Sequence, residues 1–362
     1  MGNELLAAWR LNIKVLTPLH IGTGTTLTDG YDFTVHDGKT YRLNVDAILD
    51  DVWPEDPRLQ DKMLGQPPAQ LLKSEHFDRP AEFFSYVLAG EPVGARRQVN
   101  ECVKDAQGRP YIPGSTLKGA FRTALLLGLE RDPLKGAKET DARKVAQPME
   151  RRWFGNSPNT DILRALRFAD SAPCPQTSLR LQPIQMVPNL VVNVEAIGPG
   201  AEMEVDVSLD TWLLAQRGKR GLDWQDKVLE RVRNFLQVAC CKAGKRIALE
   251  YEYHETRVNS REDAECRKFY AKIGKDLSDG RVPGFPIQIG FATGWRAKTV
   301  LGLTEDDALA PIIRNPRPDR GGHGRGSWRK GQPFPKARHV ALMGGKHFLP
   351  VGWVWVRPTP LR

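Results

Sequence analysis

The sequence predicts an α+β chain, and three observations predict it. Segments such as Leu11-Asn12-Ile13-Lys14-Val15 and Met203-Glu204-Val205-Asp206-Val207-Ser208-Leu209 alternate apolar and polar residues, the period of a half-buried strand. Leu117, Ala120, Phe121, Ala124 and Leu125 recur at helical spacing, as do Val228, Val232, Phe235, Leu236 and Ala239. A strand running into a glycine turn occurs near Gly22, Gly114 and Gly290. This echo is too loose to be a repeat, but it points to two domains of one construction, drawn at 1–210 and 211–362.

With 362 residues the chain is long enough for two cores. Lys+Arg 53 against Asp+Glu 43 leaves a net charge of +10, an excess that favours a polyanionic partner because neutralised phosphates release counterions. The longest apolar runs are too short to span a bilayer. Glu4 and Trp9 interrupt any signal-peptide pattern, so a cytoplasmic location is expected. Five cysteines (102, 174, 240, 241 and 266) form no CxxC pair and read as reduced, buried thiols. Adjacent Cys240 and Cys241 point apart on a helix, so neither a metal site nor a cofactor is expected.

Taken in order, Trp9 to Thr17 reads as a strand that ends in the glycine loop Thr17-Pro18-Leu19-His20-Ile21-Gly22-Thr23-Gly24, where glycine allows close backbone approach to a ligand. Tyr31 to Val35 and Lys39 to Asn44 read as strands about an Asp37-Gly38 turn. Residues 45–95 read as a mostly helical insertion, broken by Pro54, Pro57, Pro67 and Pro68, with Ala81 to Leu88 helical. A hairpin with its turn at Ala106-Gln107-Gly108 leads into Tyr111-Ile112-Pro113-Gly114-Ser115-Thr116-Leu117-Lys118-Gly119-Ala120-Phe121-Arg122. There Pro113-Gly114 punctuates the chain, and Ser115 or Thr116 suits an N-cap. Lys118 and Arg122, four apart, share a face beside the open N–H groups of the first turn, an arrangement suited to phosphate.

Residues 130–160 form a basic connection. Leu163 to Asp170 reads as a strand, Leu179 to Val194 and Met203 to Leu209 as further β-rich pieces, and Trp224 to Ala243 as one long helix. A second helix is expected near Glu262 to Lys272. Pro286 to Thr299 reads as strand, glycine turn and cation-bearing helix. Residues 314–336 interleave arginine with glycine, and Val351 to Arg357 reads as a closing strand within the second domain's sheet.

These islands carry a resemblance. The strand into Thr17-Pro18-Leu19-His20-Ile21-Gly22-Thr23-Gly24, followed by the Ile112-Pro113-Gly114-Ser115-Thr116-Leu117-Lys118-Gly119 run, resembles the RAMP superfamily of CRISPR effector subunits. Gly290-Phe291-Ala292-Thr293-Gly294-Trp295 with Lys298-Thr299, Phe334 to Arg338, and Gly352-Trp353-Val354 are similar to the family of fifth subunits of type III-A (Csm) complexes.

The resemblance implies two ferredoxin-like (RRM-like) domains and a thumb-like β-hairpin at about 179–200. It implies a non-catalytic subunit that caps the backbone filament, binds the 3′-side of the crRNA and, through it, meets target RNA. Maturation of the guide and antiviral defence follow from that role. The implied partners are the repeated backbone RAMP subunit and the small helical subunit.

Carried onto this chain, the RNA-gripping residues are His20, Gly22, Thr23 and Gly24, then Gly114, Ser115, Thr116, Lys118 and Arg122. Charge and position add Arg96, Arg97, Arg296, Lys298 and Arg338, and the resemblance implies Met186 and Val187 as the apolar tip of the thumb-like hairpin. Such contacts position RNA without reading its sequence. Two alternatives stay open. One is a metal-dependent endoribonuclease using a loop aspartate, for which Asp29 and Asp32 lie in the corresponding region, though in a different local context. The other is a stand-alone RNA-processing RAMP protein using His20.

Overall fold

The computed structural model describes residues 6–94, 97–130, 147–186, 190–219, 221–256, 260–280, 282–299, 338–345 and 347–361. Arg96, Val187, most of the basic 130–160 connection and the Arg/Gly-rich 314–336 stretch lie outside the described residues. In chain order the first half comprises β1 (Leu6–Val15), β2 (Gly22–Thr28), β3 (Phe33–His36), β4 (Lys39–Leu43), α1 (Val45–Val52), α2 (Pro57–Leu64), α3 (Ser74–Asp78), α4 (Pro80–Phe83), β5 (Phe84–Ala89), β6 (Gln98–Cys102) and α5 (Gly114–Leu126). There follow α6 (Gln147–Phe154), β7 (Leu166–Phe168), β8 (Leu179–Met186), β9 (Leu190–Ile197), β10 (Glu202–Asp210), α7 (Thr211–Ala215), α8 (Asp226–Arg233), α9 (Phe235–Glu255), α10 (Arg261–Ser278), β11 (Phe285–Gln288), β12 (His339–Met343), β13 (His347–Pro350) and β14 (Trp353–Leu361). The mixed α+β class is the one expected.

The alternating residues of β1 and β10 build the centre of an antiparallel five-stranded sheet, ordered β11-β14-β1-β10-β7. Leu11, Ile13 and Val15 face Met203, Val205, Val207 and Leu209 in one apolar core. Helices α5 and α9 pack against it through aromatic pairs: Phe121 lies 5.0 Å from Phe168, tilted to it, and Phe235 meets Trp9 edge-on at 5.2 Å, between ring centroids. Fully burying a side chain of this size contributes about 1.5–3 kcal/mol. The closing strand β14 pairs with β1 on one side and β11 on the other, so it is not confined to strands of its own half.

A six-stranded sheet has the order β13-β12-β8-β9-β6-β2, antiparallel except where β6 runs beside β9. β8 and β9 form the expected hairpin. The third sheet, β3-β4-β5, carries the helices of the 45–83 stretch on Tyr41, Leu43, Ile48, Phe83 and Phe84. Asp37 and Gly38 turn it with φ of 46° and 70°, a hairpin turn that Asp and Gly tolerate best.

Several elements differ from expectation. Phe84 to Ala89 is a strand rather than a helix, because Phe84, Tyr86 and Leu88 bury alternately against β4 while Ser85, Val87 and Ala89 stay exposed. The Gly22 loop is itself a strand, β2, with a bulge between Gly22 and Thr26. Residues 163–165 form a 3-10 turn before the short strand β7. The long helix breaks at Asn234, which ends α8 and opens α9 with φ −106° and ψ 33°. After β11 the chain makes turns and no helix through residue 299, since Gly290, Ala292 and Gly294 all take positive φ. All five cysteines are free thiols, but Cys240 is only half-buried and Cys241 is exposed.

Among the described residues no helix is long and apolar enough to cross a membrane.

Candidate nucleic-acid interface

The first glycine motif builds an exposed backbone surface. β2 is an edge strand of the six-stranded sheet, and Gly22 to Thr26 are all exposed. Its bulge lets Thr25 N donate to Thr23 Oγ1 at 3.1 Å, while Thr23 Oγ1 donates to Glu101 Oε2 at 3.1 Å. Gly24 has a φ of +96°, and a side chain there would point into open space. Arg97 is exposed beside the far end of the strand, its Nη1 3.3 Å from Asp29 Oδ2.

His20 is a packed histidine at 2% exposure. Its Nδ1 lies 2.7 Å from the Glu195 carbonyl, and burial lowers its pKa against the opposing pull of that carbonyl. Beneath it sits a carboxylate the sequence reading missed. Glu195 is fully buried on β9 and accepts from Tyr86 Oη at 2.6 Å, Cys102 N at 2.9 Å and Lys104 Nζ. The only hint was one acid in the apolar run Val191 to Ile197. Burial raises Tyr86, and it pushes the Cys102 thiol up to about 12.

The carboxy-terminal glycine motifs join the same region. Phe291 N donates to the His20 carbonyl at 2.8 Å, and the Phe291 ring meets His20 edge-on at 5.5 Å. Gly352 N donates to the Pro18 carbonyl at 2.9 Å, and Ile289 N donates to the Gly352 carbonyl at 2.8 Å. The close approach requires glycine: a Cβ on Gly290 would stand 2.5 Å from the His20 carbonyl, and one on Gly352 2.2 Å from the Ile289 carbonyl. Residues 17–21, 289–294 and 352 are therefore one interlocked backbone junction.

The Gly114 motif is built differently. Neither Ser115 nor Thr116 caps α5. Pro113 holds the cap position, and Asp170 Oδ1 accepts from Gly114 N at 2.7 Å. A negative side chain thus already occupies one first-turn donor. Ser115 is exposed and Thr116 half-buried. Lys118 is half-buried, and burial lowers its pKa despite the nearby Asp161. Arg122 bonds Asp161 at 2.7 Å and Glu150 at 3.2 Å and stacks on Phe154 at 4.6 Å.

Arg296 is buried and Lys298 exposed. Arg338 donates to Glu250 Oε2 at 3.0 Å and lies 3.7 Å over the Tyr253 ring. Burial would raise the Glu250 carboxyl, but Arg246 and Arg338 outweigh it and hold it down at about 2. Met186 is half-buried at the end of β8, opposite Leu190 and His339.

Asp29 and Asp32 hold their own loop. Asp32 Oδ2 accepts from Thr28 N at 2.9 Å and its Oδ1 lies 3.3 Å from Arg42 Nη1, while Asp29 pairs with Arg97. Among the described residues no group of three or more His, Cys, Asp or Glu is arranged to hold a metal ion.

In sequence the chain is similar to the CRISPR system Cms protein Csm5 of Mycobacterium tuberculosis, 24% identical over 242 residues, covering 60% of this chain and 55% of that protein. It is also similar to the protein of the same description from Streptococcus thermophilus, 26% identical over 245 residues, covering 59% of this chain and 68% of that one. The aligned chain thus spans little more than half the length of the mycobacterial relative.

In fold it is similar to a chain in a cryo-EM structure of a Csm–crRNA–target RNA ternary complex of a type III-A CRISPR-Cas system. That match has a TM-score of 0.69 at 24% identity and covers 96% of this chain and 100% of the other. It is likewise similar to the crystal structure of T. onnurineus Csm5, with a TM-score of 0.66 at 24% identity and coverage of 95% and 99%. The family model described as the RAMP superfamily matches residues 12–290, from β1 through the Gly290 turn, and the chain belongs to the RAMP superfamily.

Proposed function

We propose that this chain is a non-catalytic, guide-RNA-binding subunit of a type III-A CRISPR Csm effector, acting in the cytoplasm. It caps the backbone filament, holds the 3′-side of the crRNA and contributes to guide maturation and antiviral defence. Its neighbours are the repeated backbone RAMP subunit and the small helical subunit, and it meets target RNA through the guide. The observation that carries this reading is the sequence relatedness to two Csm5 proteins within the RAMP superfamily. The domains are read as 1–210 and 211–362, each ferredoxin-like, with the β8–β9 hairpin as the thumb.

The geometry supports one part of the surface more than the rest. The exposed bulge at Gly22–Gly24 offers backbone and threonine hydroxyls on an edge strand, with Arg97 beside it. These groups suit sugar and phosphate oxygens and read no base. Lys118, Lys298 and the Met186 end of the hairpin extend the contact. Arg122 and Arg338 are assigned to holding the fold, because carboxylates engage each of them and both side chains are more buried than that of Arg97. Asp29 and Asp32 are assigned to shaping the loop after β2 rather than to catalysis, for the same reason.

The test is affinity purification of the tagged chain with its neighbouring genes, followed by sequencing of bound RNA. The expected result is a ladder of partner subunits carrying guides that share a repeat-derived 5′ tag. A lone protein without such RNA overturns the reading and favours a stand-alone RNA-processing protein.

A further inference from the structure

Between α5, α9, β11 and the 290s turns lies a pocket of about 50 Å³. Its apolar walls are set back by small residues, Ala120 and Ala124 on α5 and Ala239 and Ala243 on α9. Three cations line it: Lys242, Arg246 and Arg296. None of its lining residues is an Asp or Glu. A space of this size exceeds what one water needs and suits a single small polyatomic group.

The polar atoms there are incompletely satisfied. Arg246 is 8% exposed, and its Nη2 lies 2.7 Å from Glu250 Oε1. Its other two guanidinium nitrogens, Nε and Nη1, are buried without a hydrogen-bond partner among the described residues. Gln288 Nε2 donates to the Val351 carbonyl at 2.9 Å, leaving Gln288 Oε1 likewise buried and unpartnered. Buried donors left so are costly, and charged ones most of all. Lys242 is unbalanced too: burial, with Arg231 and Lys245 nearby, pulls its ammonium down to about 8. The one carboxylate at hand, Glu250, is ion-paired with Arg246 and Arg338, and its Oε1 is itself buried without a hydrogen-bond partner among the described residues.

We infer that this pocket is a specific site for one phosphate-class oxyanion, held by the Nη1–H donors of Arg246 and the ammonium of Lys242. A charged N–H and an ammonium can each meet one oxygen of such a group, and the apolar walls strengthen the attraction. Gln288 Oε1 would accept from a hydroxyl that the ligand carries, either the protonated oxygen of a hydrogen phosphate or a ribose hydroxyl next to a phosphodiester. The oxyanion is therefore either free inorganic phosphate or one phosphate of a bound RNA. The RNA source rests on the guide-binding reading, whereas the site itself does not.

The test titrates sodium phosphate into the full chain at constant ionic strength, following Tm and phosphorus NMR line width. The expected result is a saturable rise, roughly 2 °C at ten times the half-saturating concentration, absent when chloride replaces phosphate. Lys242→Ala and Arg246→Lys, the latter keeping a cation against Glu250, each weaken the effect about tenfold. The Lys242→Ala protein keeps the test decisive if Arg246→Lys does not fold.

A second arm measures binding of a single-stranded RNA with and without saturating phosphate. Competition in the wild type that disappears in Lys242→Ala assigns the site to an RNA phosphate. RNA binding indifferent to phosphate, with the Tm effect intact, assigns it to the free ion. A phosphate effect without any RNA binding keeps the pocket and overturns the guide-binding reading. No saturable effect, with the folded variants matching the wild type, overturns the pocket and leaves only hydration there.

Discussion

Two glycine motifs that look alike in sequence do opposite things. At Gly114 the glycine is demanded from inside: a Cβ would stand 2.3 Å from the Phe168 carbonyl and 2.6 Å from the Ala169 carbonyl, so α5 can begin there only without a side chain. One of its two cations is turned to the protein as well, Arg122 being held by Asp161 and Glu150. At Gly22–Gly24 the strand is exposed, and nothing lies near a Cβ on Gly24. The difference teaches that a glycine–cation motif marks close approach of something to the backbone, but not whether that something is the protein or a ligand.

Four substitutions or conditions break or sharpen this contrast. The largest effect is expected from Gly114→Ala, which forces backbone apart and costs about 3 kcal/mol or more of stability, measured by denaturant unfolding. Full stability there would mean that the α5 start is not packed as described. Arg122→Met comes next, losing about 1–2 kcal/mol because it leaves Asp161 and Glu150 without their cation. RNA affinity, read by filter binding, is expected to change less than about twofold, and a tenfold loss would move Arg122 into the interface.

On the exposed strand the readouts invert. Thr25→Glu adds negative charge to the bulge and is expected to weaken RNA binding about tenfold, with Tm shifted by no more than about 1 °C. Unchanged affinity would remove β2 from the interface. The smallest effect is a pH dependence from His20. Burial lowers its folded pKa, so its contribution to stability is complete above the unfolded value near 6.5 and is lost as pH falls through the lower folded value. His20→Gln should flatten that part of the stability profile, and an unchanged profile would show that His20 does not titrate there.

The comparison also shows what could be read in advance. The strands β1 and β10 and the apolar face of α5 were legible because their periods are local and their burial follows the period. Phe84 to Ala89 was misread because nearby prolines and short helices mask a strand that needs β4 beside it. The helix expected after Gly290 was misread because the chain there is held by distant carbonyls, His20 accepting from Phe291 N and Gly352 from Ile289 N. Of the candidate residues, Gly22 to Gly24 and Arg97 proved exposed, whereas His20, Arg296 and Arg338 are mostly buried. Side-chain type gave their charge but not which carboxylate would reach them.

By itself, then, the sequence determined the α+β class, the hairpin turns and the glycine positions, since each depends on neighbours within a few residues along the chain. Tertiary structure decided which cations are neutralised and which stay open. It brought Glu250 to Arg246 and Arg338, brought Glu195 under His20 and Lys104, and set Asp161 on Arg122. The physical reason is that the worth of a charge depends on what lies within a few ångströms and on how much water remains, and folding sets both.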